Sequence, residues 1–157
     1  GKVALITGVP GQQTHRDRNA GFKEALKSGA GIELVAEQPA NSESALAMTV
    51  MENILQSHPD LEAVFCTNAL MALGAMEAAD AKGKLDQDKI VAFDTQTDVL
   101  NAIKEGKIDS LVAQNPYNMG YEAVKNAVKY LNKEEVPNRV DTGTALVTKD
   151  KVDEYLK

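Results

Sequence analysis

The chain has 157 residues, is 43% hydrophobic and 25% charged, and carries a formal net charge of −6 with a pI near 4.9. That length suits one domain with a real core, and an acidic balance without a Lys/Arg cluster argues against a nucleic-acid surface. No apolar run approaches the roughly 18–20 residues of a membrane span, so no membrane insertion is expected.

Residues 3–7 (VALIT) read as an apolar strand that reaches Gly8 and the loop GVPGQQTH. Asp17 to about Lys27 has helical spacing, with Phe22, Ala25 and Leu26 on one face. IELVAEQP is a strand closed by Pro39, and Ser42 is the expected N-cap of a long helix running to about His58. The turn HPD leads into a strand at 63–67, which ends at Asn68 and passes directly into a small-residue-rich helix at 69–81. Residues 90–93 form the next strand, and Thr97 or Asp98 caps a short helix that stops at Gly106. A strand at 110–113 precedes Gln114, Asn115 and Pro116.

Residues 117–132 carry the clearest amphipathic pattern, with Gly120, Val124, Ala127, Val128 and Leu131 on one stripe. A short extended piece, ALVT at 145–148, lies near the end. Alternating strands and helices predict a flavodoxin-like, doubly wound α/β fold. It has a parallel sheet of about five strands, order 2-1-3-4-5, with helices on both faces.

In such a sheet ligands bind outside the carboxyl ends of the strands. Three strands here end on Asn68, Asp94 and Gln114, and Arg18, expected in the first turn of the first helix, reaches over the same end. A carboxylate, a guanidinium and two amides supply the donors and acceptors that vicinal hydroxyls require. The set contains no nucleophile and base, so it predicts binding without catalysis.

Other chemistries fit less well. Gly8-Val9-Pro10-Gly11 lacks the Lys and Ser/Thr of a phosphate loop and a third glycine for a dinucleotide loop, so it reads as a simple turn. His15 and His58 have no partner at metal-ligand spacing, and no G-x-S-x-G elbow exists. No metal or cofactor is expected. Cys66, the single cysteine, reads as a small buried hydrophobe.

Four segments carry a resemblance: ALITGVPGQQTHRDRNAGFKEAL, VMENILQSHPDLEAVFCTNALMALGA, IVAFDTQTDVLNAIKEGK and VAQNPYNMGYEAV. In that order they resemble the C-terminal half of ribose-type periplasmic sugar-binding proteins, over essentially the whole chain. The related ligand-sensing domains of LacI-type repressors share the fold. The resemblance implies a single lobe over 1–157, one half of a two-lobed clamp, with sugar contacts at Arg18, Asn68, Asp94 and Gln114. It also implies a monosaccharide ligand, an ABC transporter permease as partner and a periplasmic or extracytoplasmic parent, whose signal peptide is not in this chain. The alternative is the effector lobe of a LacI-type regulator or a sensor kinase. Ser42 stands where the family often has an aromatic residue, and Ala92-Phe93-Asp94-Thr95 replaces the usual Gly-Phe-Asp-Gly.

In two-lobed relatives helix 117–132 would pack on the first lobe, and a helix from that lobe would fill the place beside this lobe's first helix. For the single lobe the expectation is that helix 117–132 folds back into that slot, with a swapped dimer as the alternative.

Overall fold

Alternation in the apolar runs decides which face of each strand is covered, and it divides this sheet into a closed face and an open one. The computed structural model describes residues 1–156. In chain order they form β1 (Lys2–Thr7), α1 (Gln13–Ser28), β2 (Glu33–Pro39), α2 (Ser44–Ser57), β3 (Ala63–Cys66) and α3 (Ala69–Ala81). β4 (Lys89–Phe93), α4 (Thr97–Glu105), β5 (Ser110–Gln114), α5 (Pro116–Leu131) and β6 (Thr144–Thr148) follow, then a 3₁₀ turn at Val152–Glu154. The strand order is β2-β1-β3-β4-β5-β6, parallel as far as β5. The expected order 2-1-3-4-5 therefore holds. The extended piece near the C-terminus becomes β6, antiparallel to β5, with Leu111 opposite Val147.

One face is closed. Ala4, Ile6, Val64, Cys66, Ile90, Ala92, Leu111 and Ala113 are buried there in one core with Met51, Ile54, Met71, Val99 and Ile103 of α2, α3 and α4. α2 and α3 approach so closely that a Cβ on Gly74 would lie 2.1 Å from the Ser44 carbonyl oxygen. Gly74→Ala is therefore expected to destabilise by about 1–3 kcal/mol, read as a lower urea midpoint at unchanged slope. A gain of about 1 kcal/mol, normal for an unconstrained helical glycine, would show that the two helices do not touch there.

The other face is half open. Burial alternates strictly along β3, β4 and β5, so Phe65, Val91 and Val112 stay partly exposed between fully buried neighbours, and Phe93 does so at the end of β4. Strands of parallel sheets are usually covered on both sides. Here α1 covers only one side of that face, with Phe22 stacked on Phe65 at 5.2 Å between ring centroids. Beside it runs an apolar trough of about 400 Å³ lined by Val3, Phe22, Phe65, Val91, Phe93 and Val112.

α5 does not fill that trough, which corrects the fold-back expectation. None of its residues is buried, and Tyr117, Val124, Val128 and Leu131 are 82%, 66%, 52% and 78% exposed. The reason lies at its two ends. Asn115 caps the helix, its side chain accepting from the Asn118 N–H at 3.0 Å, and Pro116 starts it at once, so no turn is available to redirect it. The return segment delivers Thr144 beside Gln114, so the excursion leaves and rejoins the sheet at one place. Asn118 Nδ2 donates to the Thr142 carbonyl at 3.5 Å and ties the two limbs together.

Candidate functional site

The carboxyl ends of β1, β3, β4 and β5 lie side by side, and the residues just beyond them form a polar row. Arg18 sits near its centre. α1 begins at Gln13, four residues before the expected start, so Arg18 lies in the second turn and not the first. The misreading has a physical cause: the first turn, QTHRD, is wholly polar, and apolar spacing marks only the turns after it. His15, Arg18 and Phe22 share one helix face at i, i+3 and i+7, and that face points at the sheet.

The Arg18 guanidinium has three neighbours. Nη1 donates to the Thr67 carbonyl at 2.6 Å and lies 3.6 Å from Asp94 Oδ2, and the group covers the Phe93 ring at 3.7 Å from its centroid. Its side chain is only 10% exposed. Burial lowers its pKa from the usual arginine value, and Asp94 opposes the shift. Gln114 Nε2 donates to the other carboxylate oxygen of Asp94. Asp94 has φ of 75°, a left-handed conformation that costs a non-glycine residue roughly 1–2 kcal/mol. Strain of this kind persists where the surroundings over-determine the backbone, and such places cluster at binding sites.

Asn68 is the N-cap of α3, and its Oδ1 accepts from the Met71 N–H at 3.0 Å. One lone pair of its acceptor is thus committed to the helix, while the side-chain NH₂ supplies the donors that can meet a ligand. Of the four sequence-predicted residues, Arg18, Asp94 and Gln114 are joined by direct contacts. Asn68 adjoins them through the Thr67 carbonyl.

Three neighbours escaped the sequence. Phe93 lies under Arg18, Thr67 holds it, and His15, 7% exposed, stands behind Thr67. Their only sequence signal was the helical spacing of His15 and Arg18. Gly8 also has a job beyond turning the chain, because a Cβ there would lie 2.1 Å from His15 Nε2.

Ser42 is not the cap of α2. The helix starts at Ser44, and Ser42 has φ of 65°, with its hydroxyl 3.2 Å from His15 Nε2. Likewise Gln96, not Thr97 or Asp98, occupies the N-cap position of α4 and makes no side-chain bond, while Gly106 ends that helix at φ of 82°. Cys66 is fully buried, and burial pushes its thiol far above the usual range, which leaves it unreactive. Among the described residues no group of three His, Cys, Asp or Glu side chains is placed to hold a metal ion. The trough below Arg18 is a different feature from the polar row: Arg18 is its one polar lining residue.

Comparison with known proteins adds the family context. A family model described as a periplasmic binding protein domain matches residues 1–135. The chain is 37% identical over 147 residues to the ribose import binding protein RbsB of Bacillus subtilis, covering 94% of this chain and 47% of that protein. It is 32% identical over 151 residues to a D-ribose/D-allose-binding protein of Pseudomonas aeruginosa, covering 94% and 47%. The chain spans about half the length of the curated relatives it matches. Among solved structures, an ABC transporter periplasmic solute-binding protein of Actinobacillus succinogenes with bound D-allose superposes with a TM-score of 0.92. That pair is 30% identical, over 99% of this chain and 54% of the other. A solute-binding protein of Bacillus halodurans with bound myo-inositol gives 0.88 at 35% identity, over 99% and 54%.

Proposed function

The chain belongs to the periplasmic binding protein domain family, and from that premise we propose that it is one sugar-binding lobe of an ABC-type solute-binding protein. The ligand is a monosaccharide or similar polyol. It rests on the polar row at the carboxyl ends of the strands, where Asp94 accepts from two hydroxyls while Arg18, the Asn68 amide and Gln114 donate to their oxygens. The lobe binds without catalysis, works outside the cytoplasm and partners a permease.

The observation that carries this reading is the held carboxylate. Asp94 lies between the Arg18 guanidinium and the Gln114 amide on strained backbone, with its side chain 34% exposed, so it stays open on one side to a ligand's hydroxyls. A carboxylate is an acceptor only, and neighbouring donors complete the pattern that each sugar hydroxyl needs. The four relatives described above are named for, or were solved with, ribose, allose or myo-inositol, all polyhydroxylated rings.

A single lobe is half of a clamp. The stripe of α5 packs on the second lobe in this reading, and closure buries the ligand between the two. Small ligands gain most of their affinity from such enclosure. Calorimetry on the 157-residue chain with ribose, galactose and allose is therefore expected to show nothing tighter than about 1 mM, roughly −4 kcal/mol. A micromolar constant would overturn the half-clamp reading.

A further inference from the structure

We propose that His15 is a positioning residue of the polar row: its neutral ring, in the Nε2–H tautomer, fixes Thr67 and through it the Arg18 guanidinium. The function attached to this arrangement rests on the sugar-binding reading; the arrangement itself does not.

The geometry is specific. The ring enters a space that exists because Gly8 has no side chain, and both ring nitrogens meet hydroxyls. Nδ1 is 2.9 Å from Thr67 Oγ1, and Nε2 is 3.2 Å from Ser42 Oγ. Thr67 Oγ1 already accepts from the Gly8 N–H at 3.1 Å. The arrangement that uses its one proton gives that proton to Nδ1, which leaves Nε2–H to donate to Ser42. Thr67 is then held at both ends, its hydroxyl by His15 and Gly8 and its carbonyl by Arg18. The contacts run unbroken from Ser42 through His15, Thr67, Arg18 and Asp94 to Gln114. Ser42 is kept at a φ that side chains rarely adopt, which marks this end of the row as over-determined too.

Protonation would undo the arrangement. A second ring proton would face the Thr67 hydroxyl proton and place a cation near Arg18. The charged groups acting on the ring are Arg18 of α1, which disfavours the cation, and Asp94 beyond β4, which favours it; Gly8, Ser42 and Thr67 are uncharged. Burial is the largest influence, and the His15 pKa lies below the usual histidine value. A lowered folded pKa means the unfolded chain takes up the proton first. Stability is therefore complete above about pH 6.5 and falls as the pH drops towards the folded value. Ligand affinity falls in the same direction.

Nuclear magnetic resonance tests this on the 157-residue chain. Long-range proton–nitrogen spectra of the imidazole are expected to show the Nε2–H tautomer at neutral pH. The Arg18 side-chain N–H signals should be slowly exchanging in the wild type and exchange-broadened in both His15→Phe and Thr67→Val. D-Ribose and D-allose titrations, followed at the Asn68 and Asp94 amides, should weaken about 3–10-fold in each variant. The double variant should be no weaker than either single one. As the pH drops below about 6.5 towards the lowered folded pKa, affinity should fall in the wild type and stay flat in His15→Phe. An Nδ1–H tautomer, an unchanged Arg18 signal in His15→Phe, or additive losses would overturn the inference. If neither sugar shifts any signal even with the second lobe restored, the sugar-binding reading fails, and the tautomer and Arg18 signals of the single lobe still decide the positioning role.

Discussion

With the second lobe restored, Asp94→Ala is expected to abolish sugar binding while the lobe still folds. Charge-assisted hydrogen bonds contribute about 1.5–3 kcal/mol each, so losing two of them weakens binding by about 100-fold or more. The fold does not depend on that carboxylate. It caps no helix, it lies beyond the end of β4, and without it Arg18 keeps the Thr67 carbonyl and the Phe93 ring. An alanine is a poor tenant of φ 75°, so Asp94→Asn is the matched control: asparagine tolerates left-handed backbone and keeps the side chain's shape. It loses the charge and half the acceptor capacity, and should weaken binding nearly as far. Equilibrium unfolding should move by no more than about 1 kcal/mol for the asparagine variant, the size of a partly exposed ion pair. Calorimetry on both variants decides the matter. If either binds as tightly as the wild type, the ligand does not rest on this row.

The residues explain which features could be read before folding. Strand ends were legible because a buried apolar run must stop where its first polar side chain meets water, and Asn68, Asp94 and Gln114 all stand at such stops. The strand order followed from right-handed crossovers, which leave few choices. Polar residues that pack inward were not legible. His15 looks like a surface position in a polar stretch, and only the missing Cβ of Gly8 and the bond to Thr67 draw the ring inside. That same polar stretch hid the first turn of α1. Ser42 looked like a cap by type and spacing, yet a left-handed backbone and a bond to His15 take its hydroxyl elsewhere. β6 was too short to place from its own sequence, since its pairing depends on the edge that β5 presents.

α5 provides the sharpest test of the fold, because its sequence argued for a position that the structure does not give it. Each large apolar side chain left in water forgoes about 1.5–3 kcal/mol, and Val124, Val128 and Leu131 together make folding back into the trough look favourable. The cap at Asn115, the immediate start at Pro116 and the tie from Asn118 to Thr142 oppose that motion. A triple substitution, Val124→Ser, Val128→Ser and Leu131→Ser, separates the two outcomes. With α5 held outward all three positions are more than half exposed, and the variant should lose no more than about 0.5 kcal/mol per site in urea unfolding. Leu5→Ala, at a fully buried position in β1, provides the scale and should cost about 2–5 kcal/mol. If the triple variant instead loses several kcal/mol, α5 occupies the trough in solution. A midpoint that also rises with protein concentration would identify the trough as a partner copy's, because linkage to association makes stability concentration-dependent. A small, concentration-independent change leaves the stripe free for the second lobe, as the half-clamp reading requires.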